Sequence, residues 1–132
     1  MLAPVTSDDA EFIERLYFAT RRYEFSFLNW TAEQLETFLR MQMDFQQRSF
    51  ELQFPGANQY VIRLGEERAG RLIVSRNDFS ISPVDIAILP EFRNRGIGSK
   101  IIFDLIEEAG TAKKKFTVQV LKTNSEAFYL YR

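Results

Sequence analysis

The sequence predicts a single α+β domain over residues 1–132: a mixed, mostly antiparallel sheet with flanking helices, in the order ααβββαβα. Three features carry that expectation. Apolar residues recur at helical spacing up to about residue 54 and alternate with period two from Gln59. Helical spacing then returns over residues 98–109, between two further apolar stretches of strand character. A length of 132 residues suits one core and is short for two, and 45% apolar residues with thirteen phenylalanines supply its material.

Thr6, Ser7 and Asp8 are candidate caps for a first helix whose apolar face is Phe12, Ile13, Leu16 and Tyr17. The second helix opens on a capping box, Thr31 with Gln34 three residues on, and Trp30 and Leu35 stand where a hydrophobic staple would clamp the entry. Leu35, Phe38, Leu39 and Phe45 continue its inward face, and Pro55-Gly56 ends it. Tyr60, Ile62 and Leu64 then alternate with Val61 and Arg63, Gly65-Glu66-Glu67 turns the chain, and residues 69–76 return as the other half of an antiparallel hairpin. After a turn at Asn77-Asp78, residues 81–89 form a third strand, with Pro83 at a bulge or near the start of pairing. Its end, Ile86-Ala87-Ile88-Leu89, is apolar on both faces, as a covered inner strand should be. The third helix, residues 98–109, turns Ile101, Ile102, Leu105, Ile106 and Ala109 inward and Lys100, Glu107 and Glu108 outward, and Gly110 stops it. Residues 116–121 should run parallel to 86–89, since strand, crossover helix and strand share one sheet. Thr123 with Glu126 is a capping box for a last helix carrying Ala127, Phe128, Leu130 and Tyr131.

Composition removes several chemistries. With 17 Lys and Arg against 18 Asp and Glu, a net charge of -1 gives no global attraction to nucleic acid or an anionic membrane, so neither is an expected partner. The absence of Cys and His removes disulfides, thiolate nucleophiles, Ser-His-Asp triads and the commonest metal ligands, and no metal is expected. The Met-Leu-Ala-Pro start lacks the basic-then-apolar pattern of a leader and no stretch has the length of a membrane span, which makes a cytoplasmic location the expectation.

Chemistry concentrates in Leu89-Pro90-Glu91-Phe92-Arg93-Asn94-Arg95-Gly96-Ile97-Gly98-Ser99-Lys100, a strand end, a loop and a helix start. Two glycines let the backbone approach a ligand, and unpaired amides at a helix N-terminus, with the dipole behind them, favour a diphosphate. Arg93 and Arg95 add charge there. A Walker loop would need Lys directly after its second Gly, where Ser99 stands; a dinucleotide fingerprint would need a third Gly at Ile101.

What remains, Arg-x-x-Gly-x-Gly after a strand ending Ile88-Leu89-Pro90, resembles the pyrophosphate loop of the GCN5-related N-acetyltransferases, the GNAT superfamily. A second motif in register, Asn124-x-x-Ala127-x-x-Leu130-Tyr131, is similar to that family's last helix. The resemblance runs from about Gln59 to Arg132, and the two preceding helices match the family's variable N-terminal region in kind. It implies acetyl-CoA as co-substrate and a small-molecule or peptide amine as acceptor, attacking directly in a ternary complex. It further implies that backbone groups of Ile86, Ala87 and Ile88 pair with the pantetheine arm like an added strand, at an edge where the parallel strands splay apart. The loop Arg93, Asn94, Arg95, Gly96, Ile97, Gly98 and Ser99 would hold the diphosphate, with the amides of 94–99 as donors. An amide near Ile88 would stabilise the oxyanion, Asn124 would position the reaction centre, and Tyr131, a phenol of pKa about 10, would protonate the leaving thiolate.

The chain departs from the family at two places. Gln119 stands where relatives that acetylate protein N-termini often carry a Glu base, which leaves Asp85 or a water chain to take the amine proton. The chain ends at Tyr131-Arg132 where the family usually continues into Leu-Gly-Phe and a closing β-hairpin. Both departures suggest a rival reading, a CoA-binding sensor or scaffold without turnover. An unclosed edge after residues 116–121 favours a homodimer. Lys113-Lys114-Lys115 reads as a solvated loop face, or as a reach to the 3′-phosphate of CoA. The stripe Trp30, Phe38, Met41, Met43 and Phe45 fits core or subunit contact and an acceptor-pocket wall equally well.

Overall fold

The computed structural model describes residues 1–25 and 28–118. Its elements are β1 (Leu2–Pro4), α1 (Ala10–Arg21), α2 (Ala32–Gln53), β2 (Asn58–Leu64), β3 (Glu67–Arg76), β4 (Ser80–Ile88), α3 (Ile97–Ala112) and β5 (Lys115–Phe116). They form an α+β fold around a five-stranded sheet of order β1-β2-β3-β4-β5, antiparallel except for the parallel pair β4–β5. β1 is the element that the order ααβββαβα lacks. Three residues containing a proline carry no alternation to read, yet Leu2, Ala3 and Pro4 pair with Ile62, Val61 and Tyr60 as an edge strand.

The start of α1 is held by a buried carboxylate. Thr6 N–H donates to Asp9 at 2.9 Å, and Arg68 Nε, reaching from β3, donates to the same side chain at 2.9 Å. The Thr6 amide, assisted by Arg68, holds Asp9 below the usual carboxylate range against the opposing effect of burial. Asp9, rather than Asp8, is therefore the acid that fixes this helix to the sheet. The α2 capping box forms as expected, with Thr31 N–H to Gln34 Oε1 at 3.0 Å and Gln34 N–H to Thr31 Oγ1 at 3.1 Å. α2 runs on to Gln53, just before Pro55, and Phe45, expected inward, is exposed. Leu39 and Phe50 are its buried residues, and they define a different face of the helix.

The main core lies where α1 and α3 cover one face of the sheet: Phe12 and Leu16, then Leu72, Val74, Ile81, Ile86 and Ile88, then Ile101, Leu105 and Ala109. Fully burying each large aliphatic or aromatic side chain here stabilises by roughly 1.5–3 kcal/mol. A smaller cluster of Phe50, Ile73 and Val84, with Phe54 and Ala57 against it, seats the end of α2 on the opposite face. Two expectations for α3 fail. Ile106 is exposed, and Gly110 does not end the helix, which continues to Ala112 until Lys113 takes a left-handed φ of 56°. A glycine with negative φ costs a helix about 1 kcal/mol and does not by itself break it.

Pro83 sits beside a bulge, as expected. Ile73 faces Asp85 and Val74 faces Pro83, so Val84 is the extra residue of β4. The strand changes parity there: Ile81 and Ile86 both join the α1–α3 core, while Val84 joins the α2 cluster. β5 runs parallel to β4 in the same sheet, as expected, and pairs with the start of that strand, Lys115 beside Ser80 and Phe116 beside Ile81. Thr117 N–H donates to Ile81 O at 3.1 Å, and among the described residues the pairing goes no further. The expected last helix from Thr123, with the rest of residues 119–132, lies outside the described residues.

Candidate functional site

Past the bulge, β4 is held to β3 through one set of its backbone groups. Leu89 N–H donates to Ala69 O at 2.8 Å, and antiparallel alternation then turns the polar groups of Ala87 toward β3 and those of Ile86 and Ile88 toward the β5 side. The three strand residues therefore divide: Ile86 and Ile88 present backbone to the open side, and Ala87 holds the strand to its neighbour. Gly70 allows the close fit, since a Cβ there would stand 2.2 Å from Ala87 O. Gly70 was not among the expected site residues, although a glycine inside a strand signals close backbone approach.

From Leu89 the chain makes one 3₁₀ turn over Pro90–Phe92 and reverses through two left-handed residues, Asn94 (φ 64°) and Gly96 (φ 77°). Gly96 is the N-cap of α3. No side chain caps this end and its first turn carries no acidic residue, which leaves the positive end of the helix unopposed locally. The first ladder bond is Lys100 N–H to Gly96 O at 3.0 Å, so the amides of Ile97, Gly98 and Ser99 precede the ladder. Ile97 and Gly98 are buried beneath the loop, while Asn94, Arg95, Gly96 and Ser99 are exposed.

The two arginines serve different ends. Arg93 Nε donates to Ile88 O at 3.1 Å, fastening the loop to the strand end, and Arg95 lies over the buried Phe92 ring with its guanidinium 5.3 Å from the centroid. Phe92, absent from the expected set, is thus the platform beneath Arg95. Asp85 points to the α2 side of the sheet, where its Oδ2 accepts from Arg71 NH2 at 2.9 Å; both side chains are buried and Arg71 Nε finds no hydrogen-bond partner. The structure thus brings the open side of β4, the Gly96 turn and the start of α3 together at one end of the sheet. Asn124, Tyr131 and Gln119 lie outside the described residues. Lys113 and Lys115 are exposed at the far end of α3, a whole helix away from this turn. Among the described residues, no group of three or more acidic side chains is placed to hold a metal, and no helix is long and apolar enough to cross a membrane.

The fold recurs in solved acetyltransferases. The PaiA N-acetyltransferase of Thermoplasma acidophilum, in complex with coenzyme A, superposes with a TM-score of 0.64 at 11% identity, over 99% of this chain and 85% of that one. The ribosomal-protein-alanine N-acetyltransferase of Brucella melitensis biovar Abortus 2308 gives 0.59 at 17% identity, over 99% and 87%. A GNAT family acetyltransferase of Elizabethkingia anophelis with acetyl-CoA bound gives 0.53 at 16% identity, over 99% and 71%. Among curated proteins none matches the sequence. The sequence pattern of the acetyltransferase (GNAT) family spans residues 15–132, and with the Gly96 turn, the open side of β4 and the parallel β4–β5 pair in place, the chain belongs to the GNAT acetyltransferase family.

Proposed function

We propose that the protein transfers the acetyl group of acetyl-CoA to a primary amine of a small molecule or peptide, by direct attack in a ternary complex. The observation that carries this reading is the junction itself: a helix N-terminus with no cap side chain and no acidic first turn, directly after a strand with backbone groups turned to an open side. Three amides ahead of the helix ladder suit phosphate oxygens, and the backbone of Ile86 with the N–H of Ile88 suits an extended amide-bearing chain. The donors fit the diphosphate and pantetheine of CoA, and bound acetyl-CoA supplies the activated thioester carbonyl.

Arg93, by holding Ile88 O, keeps the strand end at a fixed distance from the turn, and Arg95 on Phe92 brings positive charge to the exposed side of the loop. The amine must lose a proton to attack. Asp85 is buried and engaged by Arg71, which favours water as the proton acceptor. In this reading Asn124 positions the reaction centre and Tyr131 protonates the departing thiolate.

The test is calorimetric titration with acetyl-CoA of the wild-type protein and of Gly96→Glu, which places bulk and negative charge at the cradle, alongside thiol release with a panel of amines. Micromolar binding lost in Gly96→Glu, with thiol release accelerated by at least one amine, is expected. Wild-type protein that does not bind acetyl-CoA would refute the site. Binding without acceptor-dependent thiol release would replace the enzyme with a CoA-binding sensor.

A further inference from the structure

Helix α2 buries one face and leaves an apolar seam on another. Leu52 is 83% exposed, Phe45 74%, Met41 67%, and Trp30, at the entry to the helix, 41%. Phe38, Phe45 and Leu52 are spaced seven residues apart with Met41 between the first two, the a/d repeat of a helix that packs against another helix. The inward residues Leu39 and Phe50 belong to neither position of this repeat, so the seam is additional to the face that the fold uses. Of the stripe expected to serve core or subunit contact, Phe38 and Met43 are half-buried, while Trp30, Met41 and Phe45 are exposed.

The two ends of the seam are unlike and complementary. At the N-terminal end a groove of about 620 Å³ is lined by Trp30, Gln34, Thr37, Phe38 and Met41, among others. Its wall is held by aromatic packing, since Trp30 and Phe25 both meet the Phe38 ring edge-on, at 5.0 and 5.1 Å. At the C-terminal end Leu52 projects into solvent. When a second α2 is laid antiparallel, turned end for end about Met43, its Leu52 falls opposite Gln34 and into this groove. Phe45 then falls opposite Met41, and Arg48 opposite the Phe38 ring, where a guanidinium is attracted to the π face. A two-fold axis makes each of these contacts twice.

With about 150–250 Å² carried by each aromatic side chain, the exposed part of the seam amounts to roughly 500 Å² per copy. That is at the upper end of what a monomer leaves bare, and it approaches the ~800 Å² per partner of a standard interface, with the polar flanks of the helix as rim. We infer that the protein is a homodimer joined by antiparallel packing of α2 on α2, with Leu52 of each copy seated in the Trp30–Met41 groove of the other. The inference is independent of the reading of the acetyl-CoA site.

Sedimentation equilibrium across micromolar concentrations tests it. The wild-type protein should be dimeric, and Phe45→Glu or Leu52→Glu should weaken the dimer by about a hundredfold, since each removes an apolar contact from both halves of the interface. Both side chains are solvent-exposed in the single chain, so circular dichroism should show the fold unchanged. Phe79→Glu and Phe103→Glu alter equally exposed phenylalanines elsewhere and should leave the dimer intact. The chain has no cysteine, so Met41→Cys combined with Phe45→Cys should give a covalent dimer on oxidation. A wild-type monomer would overturn the inference, and so would a dimer indifferent to Phe45→Glu and Leu52→Glu.

Discussion

Gly70→Ala and Gly110→Ala make the same chemical change, and the structure predicts opposite signs. At Gly70 the added Cβ would stand 2.2 Å from Ala87 O and 3.1 Å from Ile88 Cα. Ordinary contact lies near 3.5 Å, so β3 and β4 must part locally by about 1 Å, and the obstacle is backbone rather than a side chain that can turn aside. Overpacking of this kind costs about 1–3 kcal/mol, and the upper figure applies here. With an unfolding entropy of about 2.1 cal/mol/K per residue, a loss of 3 kcal/mol lowers the melting temperature of a chain this size by roughly 10 °C. Gly110 lies in the last turn of α3 with negative φ and no heavy atom within 4 Å of its would-be Cβ. Alanine there should stabilise by about 0.5–1 kcal/mol, or roughly 2–3 °C. Scanning calorimetry of the three proteins measures both shifts. Because the clash falls at Ala87–Ile88, acetyl-CoA binding by folded Gly70→Ala should also weaken. A Gly70→Ala protein that melts within about 2 °C of wild type would refute the close approach of β3 and β4 at this point.

Two further outcomes follow from buried carboxylates. Asp9 has a folded pKa below its unfolded value, so its contribution is fully present above the unfolded pKa and is lost as pH falls through the folded one. Melting temperatures of wild type and Asp9→Asn should therefore differ at neutral pH and converge below about pH 4, and a difference that persists into strong acid would contradict the Thr6–Asp9–Arg68 linkage. Removing one partner of the Arg71–Asp85 pair should cost about 3–5 kcal/mol in urea denaturation, whereas Arg71→Met with Asp85→Leu should recover much of that loss. A double variant no more stable than the worse single one would show that the pair is not the unit that matters.

Most of the frame was legible because periodicity reports burial. Phe12, Leu16, Ile101, Leu105 and Ala109 stand on the faces their spacing predicts, and the capping box at Thr31 forms as written. Periodicity failed where burial is shared or local. Phe45 and Ile106 have apolar character that this chain leaves in solvent, and a pattern of apolar residues cannot say which of two stripes faces inward. β1 was invisible because three residues hold no period, and its pairing is decided by β2 from a distance of more than fifty residues. The turn was read from its glycines, and Gly96 does adopt the left-handed conformation that only Gly takes readily. The division of labour between Arg93 and Arg95 was not readable, because it depends on the path of the loop past Ile88 O and the Phe92 ring.

The bulge at Val84 also bears on how this strand can change over time. It joins two stretches whose inside and outside are out of phase, so residues 80–83 answer to β5 and residues 85–88 to the open side of the strand, each with its own rule for which side chain is hidden. Losing or gaining a single residue between them would swing Asp85 toward the α1–α3 core and expel Ile86 and Ile88. The length of β4 is therefore more tightly constrained than its composition, and a relative with one residue fewer at this point would need a different partner for Arg71.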